Sequence, residues 1–173
     1  MMSGTEQPLE LAPLDISALY TTHWRSSVRL AVLLVDDPET AEDVVQDAFV
    51  ALYRRQHALR NHAAAAGYLR ACIVNLSRSV IRRRQTARRH LKVAEPDYAD
   101  PADYEVLLSA EHREALEAVR RLPRAQREVV VLRYWAQLSE AEIASTLGVT
   151  AGTVKSHASR GMAALRSSLG GTR

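Results

Sequence analysis

The chain has 173 residues, 47% of them hydrophobic and only 5% aromatic, with 23 Lys+Arg against 20 Asp+Glu and a net charge of +3. That length suits one or two small domains, while a single cysteine excludes an internal disulfide framework and a multi-cysteine metal site. No apolar run approaches the roughly 20 residues of a membrane span, so no membrane insertion is expected.

Met1 to Ala12 are polar and acidic, unlike a secretory signal, and residues 1–13 read as a disordered tail on a cytoplasmic protein. Leu19, Tyr20, His23, Trp24, Val28, Ala31, Val32 and Val35 then recur at three- and four-residue steps and predict a first helix. Asp37-Pro38 supplies an N-cap and a proline suited to the first helical position. The second helix carries Ala41, Val44, Val45, Ala48, Phe49 and Leu52 on its buried side. Its acids Glu39, Glu42, Asp43 and Asp47 fall in the early turns, where the helix dipole favours them. Around Asn61 to Gly67 the pattern breaks and an irregular segment is expected. Periodicity resumes through Tyr68, Leu69, Ile73, Val74, Leu76, Val80 and Ile81. No stretch alternates with period two, so the fold class is all-α.

Charge is segregated along this order. From Ala48 to Ala94 there is no acid and there are eleven bases, whereas Glu95 to Glu111 holds six acids and no base. Lysine occurs only at Lys92 and Lys155, so 21 of the 23 bases are arginine. Arginine is suited to planar contacts with phosphate and base edges. Natural surfaces mix both signs, so an acid-free span of this length points to a polyanionic partner.

Periodicity fades from about Thr86 to Pro101, a region with Pro96, Asp97, Asp100 and Pro101, which marks a domain boundary. Asp100-Pro101 caps an expected helix with Val106, Leu107, Ala110, Ala115, Leu116, Val119 and Leu122 on its core face. Leu122-Pro123 ends it, and Arg124 to Tyr134 reads as the next helix. The organisation expected is a tail over 1–13, a first domain over 14–86, an acidic linker over 87–103, a second domain over 104–169 and a frayed end over 170–173.

Leu138 to Leu165 fits a helix-turn-helix. Ser139 and Glu142 form a capping box ahead of Ile143, Ala144 and Leu147. Gly148 provides the left-handed residue of a sharp turn. Thr150 caps a helix with Val154, Ala158, Met162 and Leu165 inside. Its outer side carries Thr153, Lys155, Ser156, His157, Ser159 and Arg160, short polar or cationic groups suited to a major groove. A plain helical hairpin with a solvated face is the alternative.

The two halves resemble a bacterial RNA polymerase sigma factor of the extracytoplasmic-function (ECF) group. Ala41-Glu42-Asp43-Val44-Val45-Gln46-Asp47-Ala48-Phe49 is similar to that family's region 2.2. Tyr68-Leu69-Arg70 through Val74-Asn75-Leu76 to Arg82-Arg83-Arg84 is similar to regions 2.3 and 2.4. Leu122-Pro123, Arg127-Glu128-Val129 and Leu138 to Arg166 are similar to region 4. The resemblance implies promoter-specific transcription initiation with three tasks. Glu42, Asp43, Val45, Gln46, Asp47 and Phe49 would bind core polymerase at the β′ clamp coiled coil. Tyr68, Asn75, Arg78, Ser79, Arg82 and Arg83 would contact and melt the −10 region, with the Asn61–Gly67 segment holding a displaced base. The helix carrying Thr153 to Arg160 would read the −35 region. Other polymerase subunits, promoter DNA and an anti-sigma protein are the partners implied. His157 departs from the arginine common at its position, and several region 2 positions commonly aromatic are not aromatic here.

An enzyme, a LuxR-type regulator and a sigma-like protein that binds polymerase without initiating are the alternatives. The six histidines are scattered without metal-ligand spacing, Cys72 sits among apolar neighbours, and no glycine-rich phosphate loop occurs. Neither an enzyme, a metal site nor a cofactor is therefore expected. A LuxR-type helix-turn-helix regulator fits Glu142-Ile143-Ala144 and Thr153-Val154-Lys155-Ser156-His157, but the N-terminal half offers no α/β receiver.

Overall fold

A computed structural model describes residues 14–35, 37–91 and 110–170, with the side chains of 88–91 and 110–112 outside that description. The 1–13 tail, residues 92–103 of the expected linker and the helix start expected at Asp100-Pro101 lie outside the described residues.

Three helices build the N-terminal bundle: α1 (Ile16–Val35), α2 (Pro38–Arg55) and α3 (His62–Leu91), with a short 3-10 turn at Gln56–Ala58 between the last two. Four more build the C-terminal bundle: α4 (Ala110–Arg120), α5 (Arg124–Val130), α6 (Glu140–Leu147) and α7 (Ala151–Gly170). All described secondary structure is helical, as the absence of period-two alternation predicts.

Apolar stripes set the packing of the first bundle. Val28, Ala31 and Val35 of α1 meet Ala41, Val45, Ala48 and Leu52 of α2 and Leu69, Ile73 and Val74 of α3, all closed to solvent. Asp37 caps α2 by accepting from the Thr40 amide at 2.8 Å, with Pro38 in the first turn.

The sequence expectation fails at Asn61–Gly67. This stretch is not irregular; it is the start of α3, with Asn61 Oδ1 accepting from the Ala64 amide at 2.8 Å. Four successive alanines show no apolar-polar contrast, so periodicity is blind to them, yet alanine is the best helix former. The irregular connection before Tyr68 shrinks to Leu59–Asn61 and the 3-10 turn ahead of it. At its other end α3 continues through Leu91, beyond the fading of the apolar pattern at Thr86.

In the C-terminal bundle the expected Arg124–Tyr134 helix is α for one half only. Val131–Trp135 widens into a π-helical turn, and Gln137 follows at φ 54°. Widening puts Tyr134 and Trp135 at the surface while Val131 and Leu132 stay buried. The capping box forms as expected. Ser139 and Glu142 exchange bonds at the start of α6, and Gly148 leaves the helix at φ 66°. Gly161 of α7 lies so close to α5 that a Cβ there would meet Val130 Cγ2 at 2.8 Å.

The two bundles touch. One continuous buried cluster runs from α1, α2 and α3 into Val129, Val131, Leu132, Leu138, Ile143 and Val154. Contacts join α3 to α6, and α1 to α4 and the π-turn.

Candidate polymerase and promoter surfaces

The outer face of α2 carries Glu42, Asp43, Gln46 and Asp47, all exposed. Val45 and Phe49, grouped with them in the sequence reading, are buried at 0% and 6% exposure. Both lie on the stripe that packs α2 into the bundle, which leaves little of either side chain open to a partner. The apolar area on the outer face belongs instead to Val50 and Tyr53, 47% and 61% exposed. Their signal was legible, since positions 46, 50 and 53 share the face of Glu42 and fall between the core positions. Tyr20 of α1 is also exposed, stacking on Trp24 with centroids 4.8 Å apart and tilting against Phe49 at 5.0 Å.

On α3 the positions 68, 75, 79 and 82 follow one another at steps of seven, four and three, which places them along one stripe. Asn75, Arg82 and Arg83 are exposed, whereas Tyr68 and Ser79 are half-buried. Arg55 places its guanidinium carbon 5.5 Å from the Tyr68 ring centroid, a cation–π contact. Bonding to Cys72 raises the Tyr68 hydroxyl above its ordinary pKa, and burial raises the Cys72 thiol.

Arg78, at the edge of that stripe, turns away from solvent. It forks onto Glu128 of α5, with Nε to Oε1 at 3.0 Å and Nη2 to Oε2 at 2.7 Å, and its Nη1 donates to the Leu147 carbonyl at 3.2 Å. Its bonds to Glu128 raise its pKa beyond the ordinary arginine value. Arg84 is likewise engaged, bonded to Asp37 and Thr40 of α2.

On α7, Lys155, Ser156, Ser159 and Arg160 are exposed, and Thr153 and His157 are half-buried on the flank. Val154, Ala158, Gly161 and Leu165 face inward. Thr150 Oγ1 accepts from the Thr153 amide at 3.2 Å and bonds the Thr153 hydroxyl at 2.9 Å, so Thr153 is partly committed to the cap. Among the described residues no group of three His, Cys, Asp or Glu could hold a metal, and no helix is long and apolar enough to cross a membrane.

Fold and surfaces together define a two-domain helical protein with an acidic outer face on α2, an arginine-rich helix and a helix-turn-helix. Two family patterns match it, Sigma-70 region 2 over residues 19–87 and Sigma-70 region 4 over residues 112–165. The chain is 33% identical over 157 residues to the RNA polymerase sigma-E factor of Streptomyces coelicolor, covering 90% of this chain and 86% of that protein. It is 35% identical over 156 residues to the ECF RNA polymerase sigma factor SigM of Mycobacterium tuberculosis, covering 88% and 76%. Among solved structures it resembles the sigma factor RpoE in complex with the anti-sigma factor NepR from Bartonella quintana, with a TM-score of 0.77 at 24% identity over 92% of this chain and 99% of that one. It also resembles CnrH in complex with the cytosolic domain of CnrY, with a TM-score of 0.64 at 22% identity over 91% and 89%.

The chain belongs to the sigma-70 family, as a sigma factor of the ECF group. It binds core RNA polymerase and directs promoter-specific initiation. The region 2 match over the N-terminal half disfavours the LuxR-type reading.

Proposed function

We propose a division of this activity among three faces. The outer face of α2, with Glu42, Asp43, Gln46 and Asp47 around Val50 and Tyr53, docks on the β′ clamp coiled coil. An apolar centre with a charged rim suits such docking, because the rim steers association while the centre supplies buried area. The α3 stripe of Tyr68, Asn75, Ser79, Arg82 and Arg83, with Arg78 at its edge, holds the −10 region as it opens. Lys155, Ser156, Ser159 and Arg160 of α7, flanked by Thr153 and His157, enter the major groove of the −35 region.

The observation that carries this division is the sorting of exposed charge. The open face of α2 is acidic over its first turns, whereas the open positions of α3 are cationic or neutral. A phosphate backbone is attracted to α3 and repelled by α2. Val45 and Phe49 serve the docking face indirectly, by fixing how α2 lies on α1.

The chain acts by binding, with no reaction of its own, and works in the cytoplasm beside polymerase and chromosome. An anti-sigma protein is proposed as a further partner, since the structural relative RpoE stands in complex with the anti-sigma factor NepR. The division is tested by measuring affinity for core polymerase and for a −35 duplex separately. Tyr53→Ala should weaken only the first and Arg160→Ala only the second; either variant weakening both equally would contradict it.

A further inference from the structure

Arg78 is assigned above to promoter DNA, yet in the free chain it bonds the other domain. Glu128, its partner, is 4% exposed, and the pair spans fifty residues of sequence. All three of its acceptors lie on elements of region 4: both Glu128 oxygens on α5 and the Leu147 carbonyl at the end of α6. A fork of two charge-assisted bonds plus a helix-end carbonyl fixes direction as well as distance. Elsewhere the seam is packed less completely. An apolar groove of about 200 Å³ stays open between α1, α4 and the π-turn, lined by Leu33, Leu116, Val119, Val130 and Tyr134.

We propose that Arg78 is a latch: held by Glu128 and Leu147, it closes region 4 onto region 2 in the free chain, and it turns to DNA only when the domains part. The second half of this statement rests on the −10 assignment of Arg78; the first half does not.

Geometry makes the closed form incompatible with a promoter. Elements centred at −35 and −10 lie about 25 base pairs apart, roughly 85 Å of duplex at 3.4 Å per base pair. In the closed form the reading helix α7 starts at Ala151, one tight turn beyond the Leu147 carbonyl that Arg78 touches. Both surfaces cannot occupy both elements until that contact breaks. The pocket also provides for breaking it. Arg124 Nε lies 3.5 Å from Glu128 Oε1, so the carboxylate keeps a cation when Arg78 leaves. The departing guanidinium exchanges one anion for another, a phosphate oxygen. A chain that is mostly closed binds DNA with an affinity reduced by the open fraction.

The full-length protein, without polymerase, tests this. Radius of gyration from small-angle scattering reads the domain separation, and polarisation of a fluorescein-labelled single-stranded DNA reads binding. Arg78→Ala and Glu128→Gln should both enlarge the radius. Only Glu128→Gln, which frees an intact arginine, should bind the strand more tightly, by roughly tenfold. Both variants remaining as compact as the wild type would overturn the latch. Enlargement without a gain by Glu128→Gln over Arg78→Ala would leave the latch and overturn the DNA role of Arg78. If Glu128→Gln loses helicity, Arg78→Ala reads the opening by itself, and a compact Arg78→Ala overturns the latch.

Discussion

The carboxylate of Asp37 joins two helices: one oxygen caps α2 at the Thr40 amide, 2.8 Å away, and the other receives Arg84 Nη1 of α3 at 2.9 Å. Arg84 also bonds the Thr40 hydroxyl. The last of the three consecutive arginines Arg82–Arg84 is therefore structural, which leaves Arg82 and Arg83 exposed on α3. Asp37→Ala should cost about 0.5–2 kcal/mol of stability as a lost N-cap. Arg84→Ala, removing a partly exposed pair, should cost at most about 1 kcal/mol. Urea unfolding of the two variants checks the order.

Asp37 also sets a pH dependence. Burial pushes its carboxyl up, but the Thr40 bonds and Arg84 outweigh that and hold it below its ordinary value of 3.8. A carboxyl depressed in the folded state stabilises fully above the unfolded value and loses that contribution as pH falls through the folded one. Wild type should therefore lose stability below about pH 4 more steeply than Asp37→Asn. Parallel acid-unfolding curves would contradict this.

Phe49 and Tyr53 separate packing from docking. Phe49→Ala should destabilise the N-terminal bundle by about 3–5 kcal/mol, as a buried aromatic does. Tyr53→Ala should leave the melting temperature within a degree or two, as exposed substitutions do. It should nevertheless weaken binding to core polymerase by about tenfold, a loss of about 1.4 kcal/mol. Calorimetric melting and polymerase titration distinguish the two.

Two glycines of the C-terminal bundle have different reasons to be there. Gly148 sits at φ 66°, so Gly148→Ala should cost about 1–2 kcal/mol of backbone strain. Gly161 permits contact between α7 and α5, and Gly161→Val should cost about 1–3 kcal/mol through overpacking against Val130. With α7 proposed to read the −35 region, Gly161→Val should also weaken −35 binding. Melting temperature alongside duplex affinity checks both effects.

Lys155 and Arg160 are exposed cations on the outer face of α7, and alanine at either should weaken binding to a −35 duplex. If the contact is to phosphate, each loss should lower the slope of log affinity against log salt by about one. A base contact would instead relax sequence preference at one position, at about 1–3 kcal/mol. Salt titration of the two variants assigns each residue.

Much of this was legible in the sequence. The bundle stripes, the Asp37-Pro38 start, the capping box and the Gly148 turn each rest on a local rule, and each forms as that rule requires. What was hidden has physical causes. Ala63–Ala66 carry no hydrophobic contrast, so the beginning of α3 leaves no periodic trace in the sequence. Val45 and Phe49 belong to the apolar stripe that packs α2, while Val50 and Tyr53 lie off it and give no periodic signal. The Arg78–Glu128 pair joins distant segments whose local patterns are complete without it.

A chain that directs polymerase to promoters through these surfaces must give transcripts that start at defined sites. Purified protein is combined with core polymerase on fragmented genomic DNA, and the run-off transcripts are sequenced. Discrete start sites sharing upstream elements near −10 and −35, present only when protein and core enzyme are together, are predicted. Transcripts with no discrete starts, alongside tight duplex binding by the protein without polymerase, would contradict it.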